Sequence, residues 1–450
     1  MKLPTKPPNY NIVIKNIVES GNVDLLLKYN LNTTKQYYHW DKLKHLSPPD
    51  NLTNKEWWAC IKYYRHSAAK IVPGLVDNFT KDFSFVLTDS ISRDLHWLDM
   101  YAAGSIQSSS LITTPETRNT YLVKSLIEEA ISSSQLEGAS TTLPIAKEMI
   151  RQNRKPRDIN EQMIFNNYHA MEFIREIKNE SLTPEIILEL HKLLTYKTLE
   201  KESKAGKYRT KNDKDDNVVV IDPNDGIILH IPSKASEVPQ RVKALCHFAN
   251  QVSDDEFVHP VIKSIVLHFM LAYIHPFTDG NGRTARALFY WSMANKKYWL
   301  MEFVSISRVI KQAPTQYGKA FLHTESDEND LTYFIIHQLK TIKQAIGDLF
   351  KYLDKKTKQL QDSEKLLEES KTFKNKLNFR QLTLLRHALK HPRFAYKISE
   401  HMNSHGIVYQ TARNDLIQMA ERFNLLIKVK AGKSFLFLSP DDLHERLKQG

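Results

Sequence analysis

His275-Pro276-Phe277-Thr278-Asp279-Gly280-Asn281-Gly282-Arg283-Thr284-Ala285-Arg286 is the stretch whose reading decides the fold. A largely apolar run, 261–274, leads into it, and a helical pattern, 283–295, leaves it. The stretch is therefore expected to be a tight loop joining two helices. Gly280 and Gly282 lack a Cβ, so the backbone there can take positive φ. Successive N–H groups then point into one concavity at the amino end of the second helix, an anion-binding nest. Arg283 and Arg286, three apart, share a face of that helix's first turn. Asp279 offers an oxygen ligand to a hard cation such as Mg²⁺. His275 offers a base that titrates near neutral pH. Phosphate cradle, cation ligand, guanidinium clamp and base within one loop point to phosphate-transfer chemistry. No Lys-Ser/Thr pair follows Gly282, so the loop is not a Walker A loop.

These residues resemble the signature of the Fic family, H-P-F-x-[D/E]-G-N-G-R-x-x-R, at every fixed position. The resemblance implies a mainly α fold: a Fic-type helical bundle with a β-hairpin flap. It implies transfer of AMP from ATP to a Ser, Thr or Tyr hydroxyl of a target protein, or of the chain itself. His275 would be the base, Asp279 would hold Mg²⁺, and the amides of Gly280, Asn281 and Gly282 would face the phosphates. Arg283 would contact the β-phosphate and Arg286 the γ-phosphate, with Phe277 an inward-pointing anchor.

Upstream, Leu122, Leu126, Ala130, Ser133 and Glu137 recur at helical spacing, and Gly138 follows as a C-terminal stop. The segment 133–138, Ser-Ser-Gln-Leu-Glu-Gly, looks like the Fic inhibitory motif. The resemblance implies that Glu137 pairs with Arg286 and holds ATP unproductively; a carboxylate–guanidinium pair is bidentate and directional. The implied inhibitory helix is 121–138, with Ser133 and Glu137 on one face. Downstream, Val218-Val219-Val220-Ile221 and 227–231 flank a turn-rich 222–226, which makes a hairpin. By resemblance this is the flap, 217–232, which holds an extended target segment by strand addition.

The 450 residues are enough for about two to four domains. Hydrophobic residues are 41% and charged residues 25%, a globular composition. Cys60 and Cys246 form neither a disulfide framework nor a zinc pattern, which fits a reducing compartment. The first residues lack a signal-peptide core and no run approaches a membrane span, so the expectation is a cytoplasmic protein without membrane contact. Net charge is +12, but 371–450 carries 15 Lys+Arg against 6 Asp+Glu, a local +9.

Taken in order, 1–100 reads as a helical accessory region with Trp40, Trp57, Trp58 and Trp97 packing its core, and 101–350 as the catalytic domain. Within it, helices are expected at 161–178, at 185–197 behind Thr183-Pro184, at 306–317 and at 331–350, with Asp327, Asn329 and Asp330 in a loop. His191 is expected to be structural. Residues 351–372 are a charged linker or solvated helix. The remainder, 373–450, gives helices at 380–390, 396–402 and 409–423, then two strands around 430–433. That order looks like a winged helix-turn-helix. Tyr409, Gln410, Arg413 and Asn414 would read base edges, and Lys430 and Lys433 would meet phosphate, if DNA is the partner. Protein contacts or a homodimer remain the other use of such a domain. Three functions stay open: AMP transfer, AMP removal (or both), and a nucleotide-responsive DNA-binding regulator.

Overall fold

The computed structural model describes residues 2–28, 36–104, 114–152, 154–210, 218–222, 225–251, 256–368, 376–431 and 434–449. In chain order the first hundred residues give α1 (Tyr10–Glu19), α2 (Asp24–Lys28), α3 (Trp40–Leu43), α4 (Asn54–Ala68), β1 (Ala69–Val76), β2 (Asp82–Val86) and α5 (Asp89–Leu98). Then come α6 (Pro115–Leu136), α7 (Leu143–Gln152), α8 (Ile159–Glu176), α9 (Pro184–Thr195), β3 (Val220–Ile221), β4 (Ile228–His230) and α10 (Val238–Asn250). α11 (Pro260–Ile274), α12 (Asn281–Asn295), α13 (Ile306–Gln312), α14 (Pro314–Ser326) and α15 (Thr332–Glu368) follow. The chain ends with α16 (Phe379–Lys390), β5 (Ala395–Lys397), α17 (Ile398–His405), α18 (Tyr409–Ile417), β6 (Ile427–Ala431), β7 (Ser434–Leu438) and α19 (Leu443–Gln449). The fold is mainly α, as the periodicity predicts.

Contacts divide the chain into two compact units. The first comprises 1–103, 169–299 and 309–343; the second comprises 104–168, 300–308 and 344–450. The unit boundaries fall inside α8, α13 and α15.

At the centre of the first unit lies α11, buried along nearly its whole length. A helix apolar on all sides has to be covered on all sides, and α10 and α12 pack against it. Thr183 caps α9 by accepting from the Ile186 amide, and Pro184 occupies its first position, as the sequence predicts. Trp40, Trp57 and Trp58 are buried in one cluster, so these aromatics are core. The hairpin β1–β2 was not expected. Pro73-Gly74 reads as a turn, but it sits inside β1, where the register slips between Ile71 and Val76 and Gly74 takes φ +71°.

The polar segment Asp327, Asn329 and Asp330, expected as loop, is a turn between α14 and α15, and its side chains are buried. Lys62 Nζ lies 2.7 Å from Asp327 Oδ1. Tyr333 donates to Asp327 Oδ2 at 2.7 Å and accepts from Arg65 Nη1 at 2.8 Å. Tyr37 donates to Asp330 Oδ2 at 2.6 Å. The network ties 37–65 to the start of α15, because buried charges stay buried only when paired. The helix expected over 306–317 breaks at Pro314, which starts α14 and cannot continue α13.

In the second unit α6 packs against α7 and α17. The charged stretch 351–372, expected as a linker or solvated helix, is helix as far as Glu368. The terminal module runs helix, strand, helix, helix, strand, strand, with sheet order β5-β7-β6, all antiparallel. The helix expected at 396–402 begins two residues late, because Tyr396 and Lys397 pair with Phe437 and Leu436 as strand. The helix expected over 409–423 is α-helical to Ile417 and then widens into a π-turn over Gln418–Arg422. Asp415 anchors this module: it accepts from Arg380 Nε at 2.6 Å and Asn378 Nδ2 at 2.8 Å.

Asp327→Ala takes the nearer carboxylate from the buried Lys62 ammonium, leaving Glu328 at 3.5 Å, and removes the acceptor of the Tyr333 hydroxyl that Arg65 leans on. It should cost about 3–5 kcal/mol of stability, read as a lower denaturant midpoint with unchanged slope. A loss under about 1 kcal/mol would show that water reaches this network.

Candidate active site

The turn between α11 and α12 is locked from three sides. His275 ends α11 in the left-handed conformation, φ 51° and ψ 59°, which an L-residue adopts at a cost of about 1–2 kcal/mol. Arg209, 3% exposed, offsets that strain. Its Nε donates to the His275 carbonyl at 2.8 Å and its Nη2 to the carbonyls of Ile274 (3.3 Å) and Ser233. Its own amide donates to the Pro276 carbonyl at 3.0 Å. A cation at a helix carboxyl end also opposes the helix dipole favourably.

His191, from α9, supplies the second lock. Its Nε2 donates to the Asp279 carbonyl at 2.9 Å, and its Nδ1 accepts from the Gly206 amide at 3.0 Å. Its ring stacks on Phe277 at 3.7 Å, 6° from parallel. Burial pushes its pKa down to about 4, so the ring is neutral and one tautomer satisfies both bonds. Asn281 is the third lock: its Oδ1 accepts from the Phe277 amide at 2.9 Å and its Nδ2 donates to the Phe277 carbonyl at 2.8 Å.

Gly280 takes φ +81° as the N-cap of α12, with no side-chain cap bond. A Cβ there would fall 2.7 Å from Thr195 Cγ2. Gly282 was expected to share the left-handed turn; it lies in the first turn of α12 instead, and His275 is the second left-handed residue. The amides of Asn281, Gly282 and Arg283 are first-turn donors with no acceptor inside their own helix. His275 Nδ1 faces the Ala272 carbonyl at 3.2 Å, so it carries the proton and the neutral ring keeps its lone pair on Nε2.

Asp279 is the exposed member, with 56% of its side chain accessible. Its Oδ1 accepts from the Gly280 amide at 2.6 Å, and its Oδ2 lies 3.4 Å from Arg283 Nη2. Arg283 is turned inward, and Nη1 donates to the Leu194 carbonyl at 3.0 Å. Arg286 is 3% exposed one turn further along. Among the described residues no group of three or more His, Cys, Asp or Glu side chains converges on one point. A cation here would rest on a single carboxylate, which suits Mg²⁺ held mainly by phosphate oxygens and water.

The expected flap pairs only briefly: Val220 with His230 and Ile221 with Ile228. Val218 and Val219 precede the strand. Ile221 and Ile228 are about half exposed, 51% and 50%. His230 pins the hairpin to α11: Nε2 donates to the Tyr273 carbonyl and Nδ1 to Glu325 Oε2, both at 2.7 Å. Burial opposes charge on this ring, but the Glu325 carboxylate outweighs it and raises the pKa above the usual value.

In the second unit Ser133 is buried near the end of α6, and Glu137 is its exposed C-cap, followed by Gly138 at φ +94°. Glu129, one face-turn earlier and 2% exposed, accepts from Ser305 Oγ (2.7 Å) and from the Ser307 hydroxyl and amide. His191 is structural, as the sequence predicts. Arg209 and Glu129 were not expected as anchors; the signal for Arg209 is the stretch 206–209, Gly-Lys-Tyr-Arg, which breaks the helical texture ahead of the flap. On α18, Tyr409, Gln410 and Asn414 are exposed and Arg413 is half-buried; Lys430 is exposed, and Lys433 lies outside the described residues.

Residues 181–293, which hold the turn, the flap and both anchors, match the model of the Fic/DOC family. The chain carries a Fic/DOC domain. A protein adenylyltransferase Fic of Nematostella vectensis is 35% identical over 111 residues, 25% of this chain and 22% of that protein. One from Drosophila mojavensis is 37% identical over 59 residues, 13% and 12% of the two chains. The chain thus spans under a quarter of the length of these relatives. In three dimensions it is similar to a Fic family protein of Desulfovibrio desulfuricans G20, with TM-score 0.50 and 17% identity over 79% of this chain and 97% of that one. That likeness concerns the fold. Among the described residues no helix is long and apolar enough to cross a membrane.

Gly280→Ala forces a Cβ into Thr195 at a positive φ. It should cost about 1–3 kcal/mol and weaken nucleotide binding; unchanged thermal stability would contradict the geometry. For His230 the raised pKa means its docking bonds are intact below the unfolded value of about 6.5 and are lost as pH rises through the raised folded value. Amide exchange at 228–231 should therefore quicken with rising pH beyond the intrinsic rate, and Glu325→Gln should shift that onset to lower pH.

Proposed function

We propose that the protein transfers AMP from ATP to a hydroxyl of a target protein and is held in check by Glu137. The observation that carries this reading is the locked turn, which puts an imidazole with an Nε2 lone pair and an uncapped helix amino end on the same twelve residues. The relatives' adenylyltransferase name supports it. His275 Nε2 takes the proton of the target hydroxyl as its oxygen bonds to the α-phosphorus. The bond from that phosphorus to the bridging oxygen breaks, and pyrophosphate leaves. The amides of Asn281, Gly282 and Arg283 face the phosphates, which positions them and neutralises charge that a side chain alone would leave exposed; the Gly280 amide, expected in the same role, donates to Asp279 Oδ1 instead. Arg286 takes the γ-phosphate. Arg283 holds Asp279 and the end of α9, and reaches the β-phosphate by exchanging its Asp279 partner. Mg²⁺ on Asp279 would add charge neutralisation between the phosphates. The flap, through Val218 to Ile221, holds the target's extended backbone.

Glu137 caps α6 in the second unit; pairing with Arg286 would occupy the γ-phosphate clamp. The same carboxylate would orient water for AMP removal in a bifunctional enzyme. The exposed polar face of α18, with the local charge of +9 over 371–450, favours a second reading in which the terminal module binds DNA. Binding of duplex DNA by the full chain with a steep salt slope supports that reading; none at low salt removes it.

With α-labelled ATP, Glu137→Gly should raise label incorporation into protein by about tenfold or more, as expected when a coupling worth about 1.4 kcal/mol is removed. Adding His275→Ala should abolish it. No incorporation by the Glu137→Gly protein across candidate targets and itself contradicts the proposal.

A further inference from the structure

The second unit contains a cavity of about 310 Å³. α6 and α7 form part of its wall; α15, α16, β5 and α17 form the rest. None of its lining residues falls within 181–293. Its volume is at the lower end of what small-molecule sites enclose.

The lining is cationic. Lys124, Lys147, Arg151, Lys356, Arg386 and Lys397 contribute to it, and Glu400 is the single carboxylate among the described lining residues. Glu400 lies 3.3 Å from Lys397 and answers that charge. Lys124 Nζ sits 3.1 Å over the Tyr352 ring, and Lys356 Nζ lies 5.6 Å from the same ring. Two ammonium groups thus share one aromatic ring, an arrangement a π face stabilises only in part. Burial pushes the Lys124 pKa down to about 8, with Lys147 and Lys356 adding to the effect against the pull of Glu128. Burial and then Arg386 lower that of Lys356. Like charges lining a partly desolvated recess repel one another, and a bound anion attracts each of them. The wall also carries apolar and aromatic side chains, Tyr121 edge-on to Tyr352 at 6.1 Å and 6.3 Å from Phe379, with Ile127 and Leu384, and uncharged polar ones such as Thr120 and Thr383.

We propose that this cavity is a binding site for a small organic phosphate with a planar apolar body, the phosphate held by Lys124, Lys147, Lys356 and Arg386 and the ring system set against Tyr121 and Phe379. A dianionic phosphate suits this number of cations better than a single carboxylate does. Bound there, the ligand would bridge α6 to the terminal module. On the inhibitory reading of Glu137 given above, it would then act on the helix that ends at Glu137, but the site itself does not depend on that reading.

Pyridoxal 5′-phosphate is the probe. It carries a phosphate on a planar ring, and its aldehyde marks a deprotonated lysine as an imine with loss of water. The full-length protein is treated with limiting probe, reduced with borohydride and mapped by peptide mass spectrometry. Lys124 should be modified about tenfold or more ahead of exposed Lys15 and Lys28, a preference of at least 1.4 kcal/mol, and excess pyrophosphate should protect it. Pyridoxal, with the same aldehyde and no phosphate, should show no such preference. Arg386→Gln and, separately, Lys147→Gln should each lower labelling by the phosphate probe while leaving labelling by pyridoxal unchanged. Equal labelling of Lys124 by both probes, or an equal fall for both in the variants, would overturn the proposal and leave only a lysine of low basicity. Labelling no faster than at Lys15 would overturn it as well. None of these readouts involves AMP transfer, so they stand or fall separately from the catalytic reading.

Discussion

A guanidinium and a neutral imidazole hold one strained turn, and the candidate chemistry depends on that grip. His275 is forced into a left-handed conformation to reverse the chain between α11 and α12. Left alone, such a residue relaxes to negative φ and the turn opens. Arg209 prevents this by engaging the carbonyls of Ile274 and His275, while His191 holds the Asp279 carbonyl and stacks on Phe277. The base, the anion-facing amides and the exposed carboxylate therefore inherit their positions from buried residues that need not touch a substrate. Both anchors come from α9 and the stretch just after it, well upstream of the loop itself.

The loop was legible because its residue types are costly to place together without a purpose. Glycine at a positive φ, an asparagine that bonds back on its own loop and two inward arginines leave a dense local record. The central helix was legible for the opposite reason: an apolar run with no polar face has to be covered on every side. What sequence could not give was long-range. Arg209 meets His275 across 66 residues, and Tyr37 meets Asp330 across 293. Asp327, Asn329 and Asp330 read as loop, which they are, but nothing local tells a polar residue that it has buried partners. The β1 strand hid behind Pro73-Gly74, whose local meaning is a turn but whose role here is a bulge. The break at Pro314 was visible in the sequence and was overridden by helical periodicity on both sides.

The second unit shows why domain limits are hard to draw by composition. The charged stretch after Phe350 has the makeup of a linker and of a solvated helix alike, and it continues α15 to Glu368. The terminal module is fastened to α6: Asn119 Nδ2 donates to the Gly406 carbonyl at 3.3 Å, and Thr120 Oγ1 lies 2.7 Å from His405 Nδ1. Glu129 fastens the other end of α6 to Ser305 and Ser307.

A crystal structure of the Glu137→Gly protein with a non-hydrolysable ATP analogue and Mg²⁺ tests the central claim most directly. The account predicts the phosphate chain on the amides of Asn281, Gly282 and Arg283, with His275 Nε2 facing the α-phosphorus. A nucleotide bound elsewhere, or a phosphate chain that leaves those amides to water, contradicts it.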